Sequence, residues 1–477
     1  MKIITGISDS WGRLLLYASI GLSLVLFSAL ILKVGVVLAF ALAITPLTFY
    51  LLIRFLERPL LAFLCVIIVN YLIMGLTRYI QGIPGGIVMD GLLALTFLFV
   101  LLRSRDGAVN WGGVQNLLVL LCGVWLVYCS LLFFNPETTP EYWFAGVRGL
   151  AVYLFLFPLL TAVLLNRYRH LKLFLIIWSV LTLLAVGKAL MQKFIGFDPG
   201  ELQWLHERGG STHLIFSGAR YFSFFTDAAS FGSSMGFSMV VFSIVAFYVR
   251  STPLRVYFLV VSLLAGYGLI ISGTRAAMII PFAGYAFFIV LSKQWKIIIP
   301  GIVLIACVFV FFKFTYIGHG NDNIRRMRSA FQATEDPSYL VRLANQAEMR
   351  LFMKDHPLGV GIGKAKRSEP GDYLYALPTD TSLVYVWVET GIVGLILFLI
   401  IFMVTIARGM YDVWFKIKHK EVRGFMSALL AGVAGMLACS YGNEMLQQFP
   451  NGPLVYICLA FIFMGRTFDQ EISDERR

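Results

Sequence analysis

Long apolar runs separated by short basic connections recur from one end of this chain to the other, and that pattern leaves few folds open. In hydrocarbon every backbone N–H and C=O must be satisfied internally, so runs of this length read as membrane-spanning helices. A transmembrane barrel would show short segments of alternating polarity, which are absent. With 59% hydrophobic and 14% charged residues, no separate soluble catalytic domain is expected. The expected fold is all-α: a polytopic helical membrane protein of about 14 transmembrane helices. The spans are read near 14–32, 35–53, 60–80, 86–102, 114–134, 146–165, 171–191, 228–249, 256–273, 276–292, 297–314, 383–406, 424–441 and 453–466.

Charge orients the bundle. With the N-terminus inside, the inner connections hold Arg54, Arg58, Arg103, Arg105, Arg167, Arg169, Lys172, Arg250, Arg255, Lys293 and Lys296. Arg408, Lys416, Lys418, Lys420, Arg423, Arg466, Arg476 and Arg477 follow on the same side. The short outer connections hold little beyond Lys33 and Arg78. This asymmetry follows the positive-inside rule and implies cytoplasmic termini, with both long loops outside. The net charge of +13 is therefore mostly a matter of orientation, and no nucleic-acid partner is implied. Lys2 and Arg13 precede the first apolar run, which reads as a retained span rather than a cleaved signal. All six cysteines fall inside apolar runs, so no disulfide framework or zinc spacing is implied.

The organisation reads as N-terminal spans (1–190), a first long outer loop (191–227), central spans (228–313), a large outer loop (314–382), and C-terminal spans with a tail (383–477). The large loop carries nine of the 39 Lys+Arg, although short outer loops usually lack them. Within it, Leu340, Leu343, Ala344, Ala347 and Leu351 follow helical spacing, with Arg342, Gln346 and Arg350 on a neighbouring polar face. The spacing predicts an amphipathic helix over 338–353, with Ser338 as N-cap and its apolar face on the bilayer. His356-Pro357 ends it, and the glycines of Gly359–Gly363 make a turn rather than a nucleotide loop, because no strand or Gly-Lys-Ser/Thr accompanies them.

Four outer residues stand out: Arg220, Arg275, Arg342 and Asp380. Arg275 lies between two spans with almost no loop, where a permanent charge is expensive and tends to be functional or paired. Snorkelling to the headgroups is its structural alternative. Guanidinium groups fork onto phosphate oxygens, so converging arginines suit a lipid pyrophosphate and the charge that grows on it as it leaves. Arg148, at the outer start of a span, could join them. No metal-ligand spacing appears in the outer loops, and neither a metal nor a cofactor is expected. His206, His213, His319 and His356 read more as bystanders than as catalysts. Glu389 reads as a buried packing carboxylate slightly more than as a catalytic or substrate-binding one. Glu444 and Asn443 read as rim residues.

These residues resemble the O-antigen ligase/polymerase superfamily of integral membrane glycosyltransferases. The resemblance rests on Ser272-Gly-Thr-Arg-Ala276 at a span junction and on Arg342 ahead of His356-Pro-Leu-Gly-Val-Gly361. Val386-Trp-Val-Glu-Thr-Gly-Ile-Val-Gly394 then follows, and the Arg220 segment is similar to the family's first-loop arginine motif. It covers about 210 to 410. The resemblance implies a glycan donor on undecaprenyl pyrophosphate, a glycan or lipid acceptor hydroxyl, and transfer without metal in surface polysaccharide assembly. Arg220, Arg275 and Arg342 would take the places of the essential arginines. Where the family commonly has His-Asn, this chain has Thr379-Asp380-Thr381, so Asp380 stands where the proposed base would be. Two other readings are weighed against this one. A flippase for the same lipid would call for internal repeats and midplane cations, for which Lys188 is the nearest case. A scaffold would use the large loop to dock polysaccharide export components.

Overall fold

The computed structural model describes residues 36–80, 85–107, 109–215, 218–318, 320–329, 331, 337–368 and 370–475. The expected first span at 14–32, with Lys2, Arg13 and Lys33, lies outside them, as do His319, Arg476, Arg477 and the Ser338 side chain. The first helices are α1 (Val36–Glu57), α2 (Pro59–Leu76), α3 (Gly85–Arg105), α4 (Leu117–Leu131), α5 (Pro140–Leu164) and α6 (Tyr168–Phe194). The central set is α7 (Ala228–Tyr248), α8 (Thr252–Ile271), α9 (Ile279–Ser292) and α10 (Trp295–Phe314). The large loop contains α11 (Asp322–Ser329) and α12 (Pro337–Phe352). The chain then continues through α13 (Ser382–Phe415), α14 (Lys420–Cys439), α15 (Asn451–Phe463) and α16 (Gly465–Asp474).

The fold is all-α and polytopic; the described strands are one two-residue antiparallel pair, Leu214–Ile215 with Gly218–Ala219. Nine described helices are long and apolar enough to cross a membrane, or ten with the bent pair α15–α16 taken as one. The difference from about 14 lies in α1, in the shorter apolar helices Ala276–Ser292 and Ile298–Phe314, and in the expected first span.

The middle of the bundle is built on small residues. Helix α7 runs Ala-Ala-Ser-Phe-Gly-Ser-Ser-Met-Gly, and a Cβ added at Gly232 would meet the Ser272 side chain at 2.3 Å. Without water to drive association, spanning helices gain from such close backbone approach and from hydroxyls that bond across the interface. Ser234 pairs with Tyr71 at 3.1 Å and Ser238 with Thr182 at 3.1 Å. Helices α7, α14 and α15 are accordingly the most enclosed.

One break in a span positions the large loop. Helix α13 is interrupted at Gly391, whose φ of 69° and ψ of −174° only glycine adopts readily. The freed backbone groups find partners in the loop: Val360 N–H donates to Val388 C=O at 2.9 Å, and Ile392 N–H donates to Pro357 C=O at 3.1 Å. Gly359, Gly361 and Gly363 all have positive φ and press against Glu389, Thr138 and Tyr142 in turn. The glycine run is thus packed between α5 and the α13 break, with turns on either side of it.

Helix α12 forms where the spacing predicted, but two opposite faces matter. Met349, Phe352 and Met353 pack with Val360, Leu374, Leu377 and Val388 into a small core. Leu340, Leu343 and Leu351, on the far side, are exposed.

Candidate functional site

The turn Ser272-Gly273-Thr274-Arg275 between α8 and α9 is the hub of the site. Arg220 lies across it, donating Nε to Ser272 C=O (3.4 Å), Nη2 to Thr274 Oγ1 (3.1 Å) and Nη1 to Thr212 C=O (3.0 Å). Arg326, from α11, donates Nε to Gly273 C=O at 2.6 Å. Arg275 donates Nη1 to Ser329 Oγ at 3.3 Å. Gly273 has φ of 61°, and an added Cβ would lie 3.1 Å from Arg326 and 3.2 Å from Arg220. Glycine suits this position because of its positive φ and because two arginine side chains crowd the place a Cβ would take.

The hub depends on residues that sequence reasoning passed over. Arg78 packs against the rings of Trp204 and Phe222 and donates to the carbonyls of Ser223 (3.0 Å), Phe225 and Thr226 (3.2 Å). Gln192 Oε1 accepts from Phe222 N–H (3.2 Å) and Ser223 N–H (2.8 Å). Together they hold the segment after Arg220, including Ser223 at φ of 54°. His213 is buried in the same region, taking Ala228 N–H on Nε2 and facing Gly209 C=O with Nδ1. Those bonds fix it as a neutral structural group, and burial lowers its basicity further. Lys188 reaches Asp198 (2.7 Å) and Glu201 (3.0 Å), so it anchors the first loop rather than lining a midplane path.

Arg342 projects from α12 into a narrow cleft that it shares with Gln346, Met349, Thr381 and Asp380. The cleft has about 10 Å³ of free volume, enough for about one water. Among the described residues Arg342 makes no hydrogen bond. Its charge nonetheless reaches Arg220: burial lowers the Arg220 pKa, Asp227 opposes that, and Arg275 and Arg342 add to it. Arg275 and Arg342 are therefore each within electrostatic reach of Arg220, and Arg326 contacts the same turn. An acidic wall stands next to them. Burial raises Glu444, Asp227 and Asp380 push it further, and Lys366, 2.5 Å away, opposes the rise. Tyr441 OH donates to Gln346 at 3.3 Å and ties this wall to α12.

Two further expected site residues have other contacts, and Glu389 lies within the field of Glu444 and Lys366. Arg148 pairs with Asp90 at 2.8 Å, and Tyr153 OH bonds the same carboxylate. Glu389 is fully buried in the α13 break near Gly363 and Tyr385, with neither oxygen completing a hydrogen bond among the described residues. His356 stacks on Phe352 and meets Glu137 at 3.1 Å, and His206 is exposed. The described residues contain no group of three or more His, Cys, Asp or Glu placed to hold a metal ion. The signal that could have found Arg326 was the run Arg325-Arg326-Met-Arg328 close after a span. Arg78 and Gln192 gave none, because the partners that tie them to the segment after Arg220 are backbone carbonyls and amides more than 25 residues away.

No curated protein sequence matches the chain. Residues 260–399 match the family described as O-antigen ligase, a stretch that holds the hub turn, Arg326, Arg342, Asp380 and the α13 break and leaves out Arg220 and Glu444. Over that segment the chain is similar to the O-antigen ligase family, which supports a place in the O-antigen ligase/polymerase superfamily.

Proposed function

We propose that this protein transfers a glycan from undecaprenyl pyrophosphate to an acceptor hydroxyl at the outer face of a bacterial inner membrane. It would act as an O-antigen or exopolysaccharide polymerase or ligase. The observation that carries this reading is the meeting of Arg220, Arg275 and Arg326 at one turn, with Arg220 held by three neutral oxygens and the charge of Arg342 reaching it. Like charges held together in a partly buried place favour an anion between them. Bidentate guanidinium groups match a pyrophosphate in particular.

The chemistry then divides across the hub. The acceptor oxygen attacks the anomeric carbon while its proton passes to Asp380, across the cleft from Arg342. The bond from that carbon to the pyrophosphate oxygen breaks, and the arginines take up the charge on the leaving group. Arg326 adds to them from α11. Glu389 and Arg148 serve the scaffold. Because the cleft holds about one water, α12 must shift to admit a sugar.

Purified protein, lipid-linked glycan and acceptor should give transfer in the presence of EDTA. Arg275→Ala and Arg342→Ala should each lower turnover by on the order of 10²–10³. Normal turnover in both variants would defeat the assignment.

A further inference from the structure

The last outer loop, Ser440 to Pro450 between α14 and α15, carries polar groups that the transfer chemistry leaves unused. Its course is fixed by bonds to the start of α13. Ser382 N–H donates to Asn443 C=O at 3.2 Å, and Ser382 Oγ accepts from Met445 N–H (2.9 Å) and Leu446 N–H (3.1 Å). Asn443 Nδ2 reaches Ser233 Oγ of α7 at 3.5 Å. Asp380 stands two residues before Ser382, so the loop runs past the acceptor side of the cleft.

Two side chains of this loop meet the site. Tyr441 is half exposed, and its OH donates to Gln346, which lines the cleft together with Asp380. That bond steadies the ring while leaving much of it bare, the arrangement in which a tyrosine contacts a ligand at little cost in conformational freedom. Glu444 gives Oε2 to Lys366 at 2.5 Å. Among the described residues its Oε1 makes no hydrogen bond, and that oxygen is not sealed from solvent. Lys366 Nζ lies over the Tyr385 ring at 5.4 Å, and an ammonium bonded once has two hydrogens to spare. The loop therefore presents a steadied ring, one free charged acceptor and two free charged donors.

Charge decides which reactant belongs here. Asp227 and Asp380 lie in the field of Glu444, so a phosphate is repelled from this side and a neutral polyol is not. A sugar ring has apolar C–H faces that pack on a tyrosine, and neighbouring hydroxyls that both donate and accept, as Glu444 and Lys366 require. We propose that the last outer loop, through Tyr441, Glu444 and the Lys366 it holds, binds a sugar ring of the acceptor glycan and selects which glycan is taken. This rests on the reading of Asp380 as the group that receives the acceptor's proton. When α12 shifts to open the cleft, Gln346 parts from Tyr441 and the ring is freed for the sugar. Asp380 and Arg342 lie inside the family-matched segment and this loop lies outside it, a division expected where transfer chemistry is shared and acceptor choice is the chain's own.

The test uses full-length protein in nanodiscs and, as probe, the repeat-unit oligosaccharide released by mild acid from the producing strain's own lipid-linked glycan. Wild type should bind it, and maltohexaose should not compete. Tyr441→Ala and Glu444→Gln should each weaken binding by about fivefold or more, with unfolding temperatures close to wild type. Tyr441→Phe keeps the ring and loses only the Gln346 bond, so its affinity should stay within about twofold of wild type. No binding by wild type, or wild-type affinity in both Tyr441→Ala and Glu444→Gln, would overturn the proposal. So would equal weakening in Tyr441→Phe and Tyr441→Ala, or weakening that only follows a lowered unfolding temperature, since either outcome assigns these residues to holding the loop. Glycan transfer measured on the same samples separates the two claims. Binding that depends on Tyr441 and Glu444 without any transfer supports the sugar subsite and counts against the glycosyltransferase reading. Transfer with binding indifferent to both residues sinks the subsite alone.

Discussion

A guanidinium next to another guanidinium is unfavourable unless an anion comes between them, and Arg220 shows how this chain accommodates that. Its three acceptors are two carbonyls and a hydroxyl, spaced to match the fork of an arginine. A lysine keeps the charge but offers one point, so it cannot hold Ser272, Thr274 and Thr212 together. Arg220→Ala should lower single-turnover transfer by on the order of 10². Arg220→Lys should recover little of it, and a lysine variant as fast as wild type would reject the bidentate role. A second residue-scale prediction concerns Asp198. Burial alone would raise its carboxyl, but hydrogen bonds from Lys188, Tyr79 and the Glu201 N–H outweigh that and hold it at about 2. A depressed carboxyl contributes stability above its unfolded value near 3.8, and the contribution fades as pH falls through about 2. After discounting for solvent screening, Asp198→Asn should cost roughly 1 kcal/mol at pH 7. Thermal unfolding in detergent should show the gap to wild type closing between about pH 4 and pH 2. A gap of constant size would assign the loss to the helix cap at Glu201 instead.

At the scale of elements, the α13 break and the glycine strip depend on each other. A Cβ on Gly391 would fall 2.2 Å from Pro357 C=O, in a backbone region essentially reserved for glycine. Gly391→Ala should therefore cost at least about 2 kcal/mol, read as a lower unfolding temperature. Gly187→Ala, a helical glycine with open space around it, is the control and should not destabilise. Equal behaviour of the two would mean that the break can be straightened. The sequence made both motifs visible, since His356-Pro-Leu-Gly-Val-Gly361 and Glu389-Thr-Gly391 stood out, but not that one supplies hydrogen bonds to the other. Short motifs more than 25 residues apart carry no pairing information in a single chain. The amphipathic spacing of α12 was equally visible. The face carrying Arg342, Gln346 and Met349 was the harder part, because polar residues facing a cleft look the same as polar residues facing water.

For the whole molecule, hydropathy was enough to place the apolar helices α1 to α10 and α13 to α15, because each span must be apolar along its length. It could not show which spans lie innermost; that follows from the serines and glycines of α7, whose value appears only when helices meet. Nor could it show that the first long loop, the α8–α9 turn and the large loop converge, since that is a property of the packed bundle. Convergence on one hub is the central claim, and binding tests it most directly. In nanodiscs the protein should bind undecaprenyl pyrophosphate at least about tenfold more tightly than undecaprenol, a difference of about 1.4 kcal/mol. Arg220→Ala and Arg275→Ala should each remove most of that preference. Equal affinity for the two lipids, or a preference that survives both substitutions, would contradict it.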